Sequence, residues 1–337
     1  MKALMLNGVR DVSLHEVTVA SVGPRSVKIR VKRCGLCGTD HSKYVGSVFL
    51  PGEFPFFLGH EISGIVVEVG QEVSDISLGQ LVATNPVRSC GDCYRCRRGQ
   101  ENYCERLIEL WKTNGGFSEY VVFDRQQVFV MPEGITPDQA AFTEPVAVCI
   151  HCIDMAEIKP GMSIAIIGGG PIGLILLQLA IRAGAAFTLV SEPSPVKREL
   201  AKKLGADIVI DPTAEDLVAR AFELTNNRGF DVVFEASGNT KAASHAFIIS
   251  GSKSTLFYFA VFPIDFNMPL NLYSLYAKEL TIKGVFLAPY SFPRAVNMLP
   301  KLELEPLISH RFPLGEAERI FTVQETGDAV KIMVECE

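Results

Sequence analysis

The sequence predicts an α/β protein in two parts, a β-rich lobe and a doubly wound parallel sheet. Two observations predict it. Over roughly the first hundred residues the chain reads as short strands and turns without helical spacing, the pattern of a barrel or sandwich-like lobe. From about Glu144 strand-like and helix-like stretches alternate, which builds a parallel sheet with helices on both faces.

In the first part, Val27-Lys28-Ile29-Arg30-Val31 alternates apolar and charged residues, so one face is buried. Gly64-Ile65-Val66-Val67-Glu68-Val69-Gly70 is a short apolar run between glycines. In the second part, strands are expected over 163–167, 187–190, 208–210, 231–234, 255–261 and 280–286, with helices over 172–183, 196–204 and 217–225. The last fifty or so residues are too few for a third domain and are expected to rejoin the first lobe.

The 337 residues suffice for two domains of roughly 150 residues each. Hydrophobic residues make up 48% of the chain and mean hydropathy is +0.23, a globular composition. A formal charge of -6 argues against nucleic acid or an anionic membrane as the main partner. No charge falls between Lys159 and Arg182, but Gly168-Gly169-Gly170-Pro171 interrupts that window, so it reads as strand, turn and buried helix, not as a membrane span. No charged n-region with an apolar h-region opens the sequence, so no secretory signal is expected. With four of nine cysteines clustered at metal-ligand spacing, a reducing, cytoplasmic setting is expected.

Those four are Cys90, Cys93, Cys96 and Cys104, a C-x2-C-x2-C-x7-C arrangement. Four thiolates saturate a tetrahedral ion and leave no open position, which describes a structural zinc site. An iron–sulfur cluster uses similar spacings. Arg95, Arg97 and Arg98 nearby read as a solvated face in an acidic protein.

A second constellation runs from Cys37-Gly38-Thr39-Asp40-His41 to Gly59-His60-Glu61. Thiolate, imidazole and carboxylate within one short span suit a borderline ion such as zinc. A third is Gly168-Gly169-Gly170-Pro171-Ile172-Gly173, a G-x-G-x-x-G between a predicted strand and a predicted helix. There Gly168 makes the tight turn, Gly170 admits the pyrophosphate, and Gly173 lets strand and helix pack closely. The helix N-terminus supplies free N–H groups. Glu192, ending the next strand, would accept from both ribose hydroxyls and repel a 2′-phosphate, which favours NAD over NADP. Lys197 either flanks the adenosine or is a solvated lysine.

With these features in order, the chain resembles the zinc-dependent medium-chain dehydrogenases, the alcohol and polyol dehydrogenase family. The resemblance spans the chain and includes Gly115-Gly116-Phe117-Ser118-Glu119-Tyr120 and Glu144-Pro145. It is most similar to the sorbitol and threonine dehydrogenase branch, where a Glu-Pro pair stands in place of a third ligand cysteine. The resemblance implies a GroES-like catalytic domain over 1–144 and 287–337, and a Rossmann NAD-binding domain over 145–286. It implies Cys37 and His60 as constant catalytic-zinc ligands, Glu61 or Glu144 as the third, and Cys90, Cys93, Cys96 and Cys104 around a structural zinc. Thr39 corresponds to the hydroxyl that takes the substrate proton. A three-ligand zinc keeps an open position for an alcohol, whose proton leaves more easily there. The hydride then passes to the nicotinamide. A dimer or tetramer is the family-level expectation.

The expected activity is oxidation of a secondary alcohol on a polyol, sugar derivative or similar compound to a ketone. Threonine and sugar phosphates such as galactitol 1-phosphate are the alternative substrates, and a non-catalytic NAD sensor on the same scaffold is the alternative class. Several positions depart from the branch. The family's relay histidine is Ser42 here, with His41 one residue earlier, so either side chain or water completes the relay. Lys43 and Leu287 replace the tyrosine and arginine that face sorbitol in the sorbitol enzymes, which argues against sorbitol itself. Lys43 would suit an acidic or phosphorylated substrate, or is simply solvated. Trp111 either lines the substrate cleft or is core. Cys34-Gly35-Leu36-Cys37 and Cys149–Cys152 have dithiol spacing outside any thioredoxin-like context, and Cys34, Cys149, Cys152 and Cys336 are read as ordinary cysteines.

Overall fold

The computed structural model describes residues 1–48, 54–107 and 115–336. The chain divides into two compact units, Met1–Val148 with Leu287–Glu337, and Cys149–Phe286.

In chain order the strands open with β1 (Lys2–Gly8), β2 (Asp11–Glu16), β3 (Ser26–Gly35), β4 (Phe56–Phe57), β5 (Glu61–Val69), β6 (Leu81–Thr84), β7 (Tyr120–Asp124) and β8 (Val128–Val130). The second unit contributes β9 (Ser163–Ile167), β10 (Phe187–Ser191), β11 (Ile208–Ile210), β12 (Phe230–Glu235), β13 (Ser250–Tyr258) and β14 (Thr281–Gly284). The chain then adds β15 (Ile308–Pro313) and β16 (Lys331–Glu335) to the first unit.

Among the described residues the first unit carries a 7-stranded sheet, β15-β16-β3-β5-β6-β8 with β7 also on β3, and a 3-stranded sheet β2-β1-β4. The alternation in β3 does what its pattern predicts. Val27, Ile29 and Val31 are fully buried, each contributing about 1.5–3 kcal/mol of hydrophobic burial, while Arg30 on the other face is exposed. Antiparallel pairing of β3 with β5 and of β16 with β3 places Gly35 opposite both Glu61 and Met333. That register brings the two ends of the sequence to one site.

The second unit is a six-stranded sheet in the order β11-β10-β9-β12-β13-β14, with every pairing parallel. Its order reverses between β9 and β12, and open α/β sheets bind ligands at the carboxyl ends of the strands at such a point. Strands buried on both faces read as continuous apolar runs, as Ile164 to Ile167 does. The uncharged window between Lys159 and Arg182 is β9, a turn and the helix Pro171–Ala183. Among the described residues no helix is long and apolar enough to cross a membrane.

Several features differ from the sequence expectation, among them one strand and two helices of the second unit. β13 starts at Ser250, where Ser-Gly-Ser-Lys-Ser has no apolar period, and Lys253 (φ 56°) lies within it. The helices Thr240–Ile249 and Leu272–Lys278 were not expected, although Asn239 and Asn271 cap them by accepting from backbone N–H groups.

Candidate active site and metal centres

The first centre is built by one short helix. Cys37 caps Gly38–Tyr44, its sulfur accepting from Thr39 N at 3.5 Å, while Asp40 Oδ2 accepts from Cys37 N at 3.3 Å. This is a capping box with sulfur in the place of a hydroxyl. The other oxygen of the fully buried Asp40 accepts from Gly59 N at 3.2 Å and lies 3.5 Å from His60 Nδ1. One carboxylate therefore ties the Cys37 turn to the His60 turn and orients the imidazole, as partners of metal-ligating histidines do.

Burial alone would raise the Asp40 carboxyl, but His60, Lys43 and the Gly59 N–H pull it down to about 2. Burial would lower the His60 imidazole, and Asp40 with the Cys37 sulfur overcomes that and raises it well above its ordinary value. These are the signs of a site with an excess of acceptors, which a cation would balance.

Ligand atoms of Cys37, His60 and Glu61 all lie within 4.8 Å of one another. Glu61 is also held from behind. Lys331 Nζ donates to its Oε1 at 2.8 Å and its Oε2 at 2.6 Å, and to Leu36 O at 3.1 Å. Gly35 leaves room for this arrangement: a Cβ there would meet Glu61 Oε2 at 2.0 Å, so the carboxylate would have to shift off its present bonds. Glu144, in the helix Thr143–Ala156, is 8% exposed, and burial lifts its carboxyl to about 7. His60, Glu61, Lys331 and Asp40 act on it electrostatically, which sets it beside this group. Thr39 follows Cys37 on the same helix and is half-buried. His41 Nε2 lies 3.5 Å from Glu325 Oε1, so its ring turns toward that carboxylate. Trp111 falls outside the described residues.

The second centre gathers Cys90, Cys93, Cys96 and Cys104, whose sulfurs lie within 4.8 Å of one another. All nine cysteines are free thiols. Backbone N–H groups point at the sulfurs, Cys90 N to Cys104 at 3.4 Å, Cys93 N to Cys90 at 3.4 Å and Cys96 N to Cys93 at 3.5 Å. The N–H groups of Cys96 and Glu105 pull the Cys93 thiol down to about 6, whereas burial pushes Cys96 up to about 12. Four such thiols ionise together only around a cation, and this donor set fits zinc.

In the second unit Gly168 (φ 104°) follows β9, and its N–H reaches Ser191 O at 2.8 Å. Gly170 precedes Pro171 at the helix start with no side-chain cap, and a Cβ on it would meet nothing within 4 Å. Space and free N–H groups there suit a pyrophosphate. Ile172 lies in the first turn of the helix, and a Cβ on Gly173 would sit 1.9 Å from Gly168 O, so only glycine permits this packing. Glu192 is 6% exposed and accepts from Gly169 N at 2.7 Å and Ser194 N at 2.9 Å. It therefore braces the glycine loop, a role its position in the sequence did not suggest. Lys197 lies half-buried in the helix Pro195–Lys203.

Sequence reasoning missed Asp40 and Lys331. Asp40 was legible as the third helical residue after a capping cysteine. Lys331 showed only as a lone charge among Ala329, Val330, Ile332 and Met333.

Three gathered donors that could hold a metal ion, a cluster of four thiols and a glycine loop between strand and helix are the features of a zinc-dependent dehydrogenase. Residues 23–133 match the alcohol dehydrogenase GroES-like domain and residues 171–301 the zinc-binding dehydrogenase domain. The chain is 34% identical to L-threonine 3-dehydrogenase of Pyrococcus abyssi, over 95% of this chain and 94% of that one. It is 29% identical to sorbitol dehydrogenase of Bacillus subtilis, over 99% and 97%. A solved zinc-binding dehydrogenase of Sinorhizobium meliloti 1021, bound to NADP, superposes with a TM-score of 0.92 at 35% identity, covering 99% and 98%. The chain belongs to the zinc-dependent medium-chain alcohol dehydrogenase family, with the GroES-like and Rossmann-type parts of that family. It is an oxidoreductase that interconverts an alcohol and a carbonyl compound with zinc and a nicotinamide cofactor.

Proposed function

We propose that the enzyme oxidises the secondary alcohol of a polyol, sugar derivative or hydroxy amino acid to a ketone, with NAD as acceptor. The observation that carries this reading is the grouping of Cys37, His60 and Glu61 within 4.8 Å, with Glu144 buried beside them. Cys37 and His60 are the constant ligands. Glu61, which Lys331 neutralises from behind, or the buried Glu144 would supply the third donor to the ion. When bound, zinc stabilises the deprotonated alcohol and the nicotinamide accepts hydride. Asp40 keeps His60 in its ligating orientation, and Thr39 relays the proton the alcohol gives up, handing its own hydroxyl proton onward to His41, Ser42 or water. Cys90, Cys93, Cys96 and Cys104 hold a second, structural zinc.

The Glu192 carboxylate favours the ribose hydroxyls of NAD and opposes the 2′-phosphate of NADP, and Lys197 flanks the adenosine. The enzyme acts on a small-molecule substrate as a homodimer or homotetramer in the reducing cytoplasm. Lys43, whose charge already acts on Asp40, is compatible with a phosphorylated polyol.

The test is NAD reduction by the zinc-loaded enzyme across polyols, polyol phosphates, L-threonine and simple secondary and primary alcohols. Turnover of a polyol or its phosphate supports the reading. Activity confined to primary alcohols overturns it.

A further inference from the structure

Glu235 ends β12 and is fully buried, yet nothing in the chemistry above uses it. Its strand lies next to β9, with Glu235 opposite Ile167, so it stands at the reversal of strand order. Both carboxylate oxygens face inward on the chain. Oε1 accepts from Ser237 N at 3.0 Å and from Ser237 Oγ, and Oε2 accepts from Gly238 N at 3.3 Å. The intervening Ala236 N donates to Ile167 O at 2.8 Å, which pins the turn to the last residue of β9.

That turn is the wall against which the glycine loop is built. A Cβ on Gly168 would meet Ser237 N at 2.8 Å and Ala236 C at 2.9 Å. On the other side of β9, Glu192 holds Gly169 N at 2.7 Å. Glu192, just after β10, thus bonds the loop directly at Gly169, while Glu235, at the end of β12, holds the turn that packs against Gly168. A neutral cap would serve an ordinary turn at a smaller desolvation cost. A carboxylate takes N–H groups on both oxygens at once and fixes the turn more rigidly.

We infer that Glu235 is a positioning residue for the dinucleotide, setting the glycine loop through the 236–238 turn without touching the cofactor. The inference rests on the reading that this loop receives the pyrophosphate. Glu235→Gln keeps the size but presents an amide group to at least one of these donors, so the turn relaxes away from Gly168.

The test uses the full-length, zinc-loaded chain, with ADP-ribose, adenosine and NADH as probes. Losing charge-assisted hydrogen bonds of this kind should weaken ADP-ribose and NADH by about tenfold in Glu235→Gln, while adenosine, which lacks the pyrophosphate, binds as in the wild type. Ser237→Ala removes one of the three bonds and should give a smaller loss in the same direction, which serves if Glu235→Gln does not fold. Wild-type affinities in both variants overturn the inference, as does an equal loss for adenosine and ADP-ribose. A wild-type chain that binds neither NADH nor ADP-ribose overturns the dinucleotide reading itself.

Discussion

Lys331 Nζ lies 2.8 and 2.6 Å from the two carboxylate oxygens of Glu61, in a pair whose side chains are 3% and 2% exposed. Burial would strip the lysine of its proton, and Glu61, with Cys37 and Glu144, overcomes that and raises it. The pair is thus an internal counter-ion placed behind a metal-facing carboxylate. Lys331→Met leaves Glu61 buried without its partner and should cost about 3–5 kcal/mol in urea unfolding of the metal-free chain. Adding Glu61→Gln should recover much of that loss, since the unpaired charge is then gone. Additive losses in the double variant would contradict the pairing.

Thr39 sits on the helix that Cys37 caps and is assigned the substrate proton. Thr39→Ala should lower kcat by about a hundredfold, the scale of general acid–base assistance, with NADH affinity unchanged. An unaffected turnover number removes Thr39 from the relay.

Glu192 spends its oxygens on Gly169 N and Ser194 N in the absence of a dinucleotide. Glu192→Ala should weaken NADH by about tenfold or more and raise the NADP-to-NAD preference, because brace and phosphate repulsion are lost together. Isothermal titration with both cofactors checks this. Equal losses for NADH and NADPH would leave only the brace.

Burial raises the Glu235 carboxyl above its ordinary range, against the pull of Ser237 and Gly238. Its folded value then exceeds its unfolded one, so its stabilising contribution is full below about pH 4.3 and is lost as pH rises through the raised value. Glu235→Gln cannot titrate, and its urea midpoint should vary less with pH over that span. A slope equal to the wild type would assign the pH dependence to other groups.

The sequence disclosed the parts of this protein that are local in the chain. The four-thiol spacing, the glycine loop and the alternation of β3 each depend on neighbours a few residues apart. The Glu61–Lys331 pair spans 270 positions and exists only because β16 pairs with β3 and β3 with β5. No periodicity in either segment encodes that register. Glu192 shows a subtler limit: its place after β10 was readable, but its bonds to the loop depend on how Gly169 turns. Asp40 was within reach, since a cysteine can cap a helix where serine usually does.

The central claim is that Cys37, His60 and a glutamate hold the zinc at which the alcohol reacts. Zinc analysis of the wild type and of Cys37→Ser, with NAD reduction on the best alcohol of the screen, tests it most directly. The account predicts two zinc per wild-type chain, one in Cys37→Ser, and loss of alcohol oxidation with the missing ion. Two zinc in Cys37→Ser with full activity would contradict it.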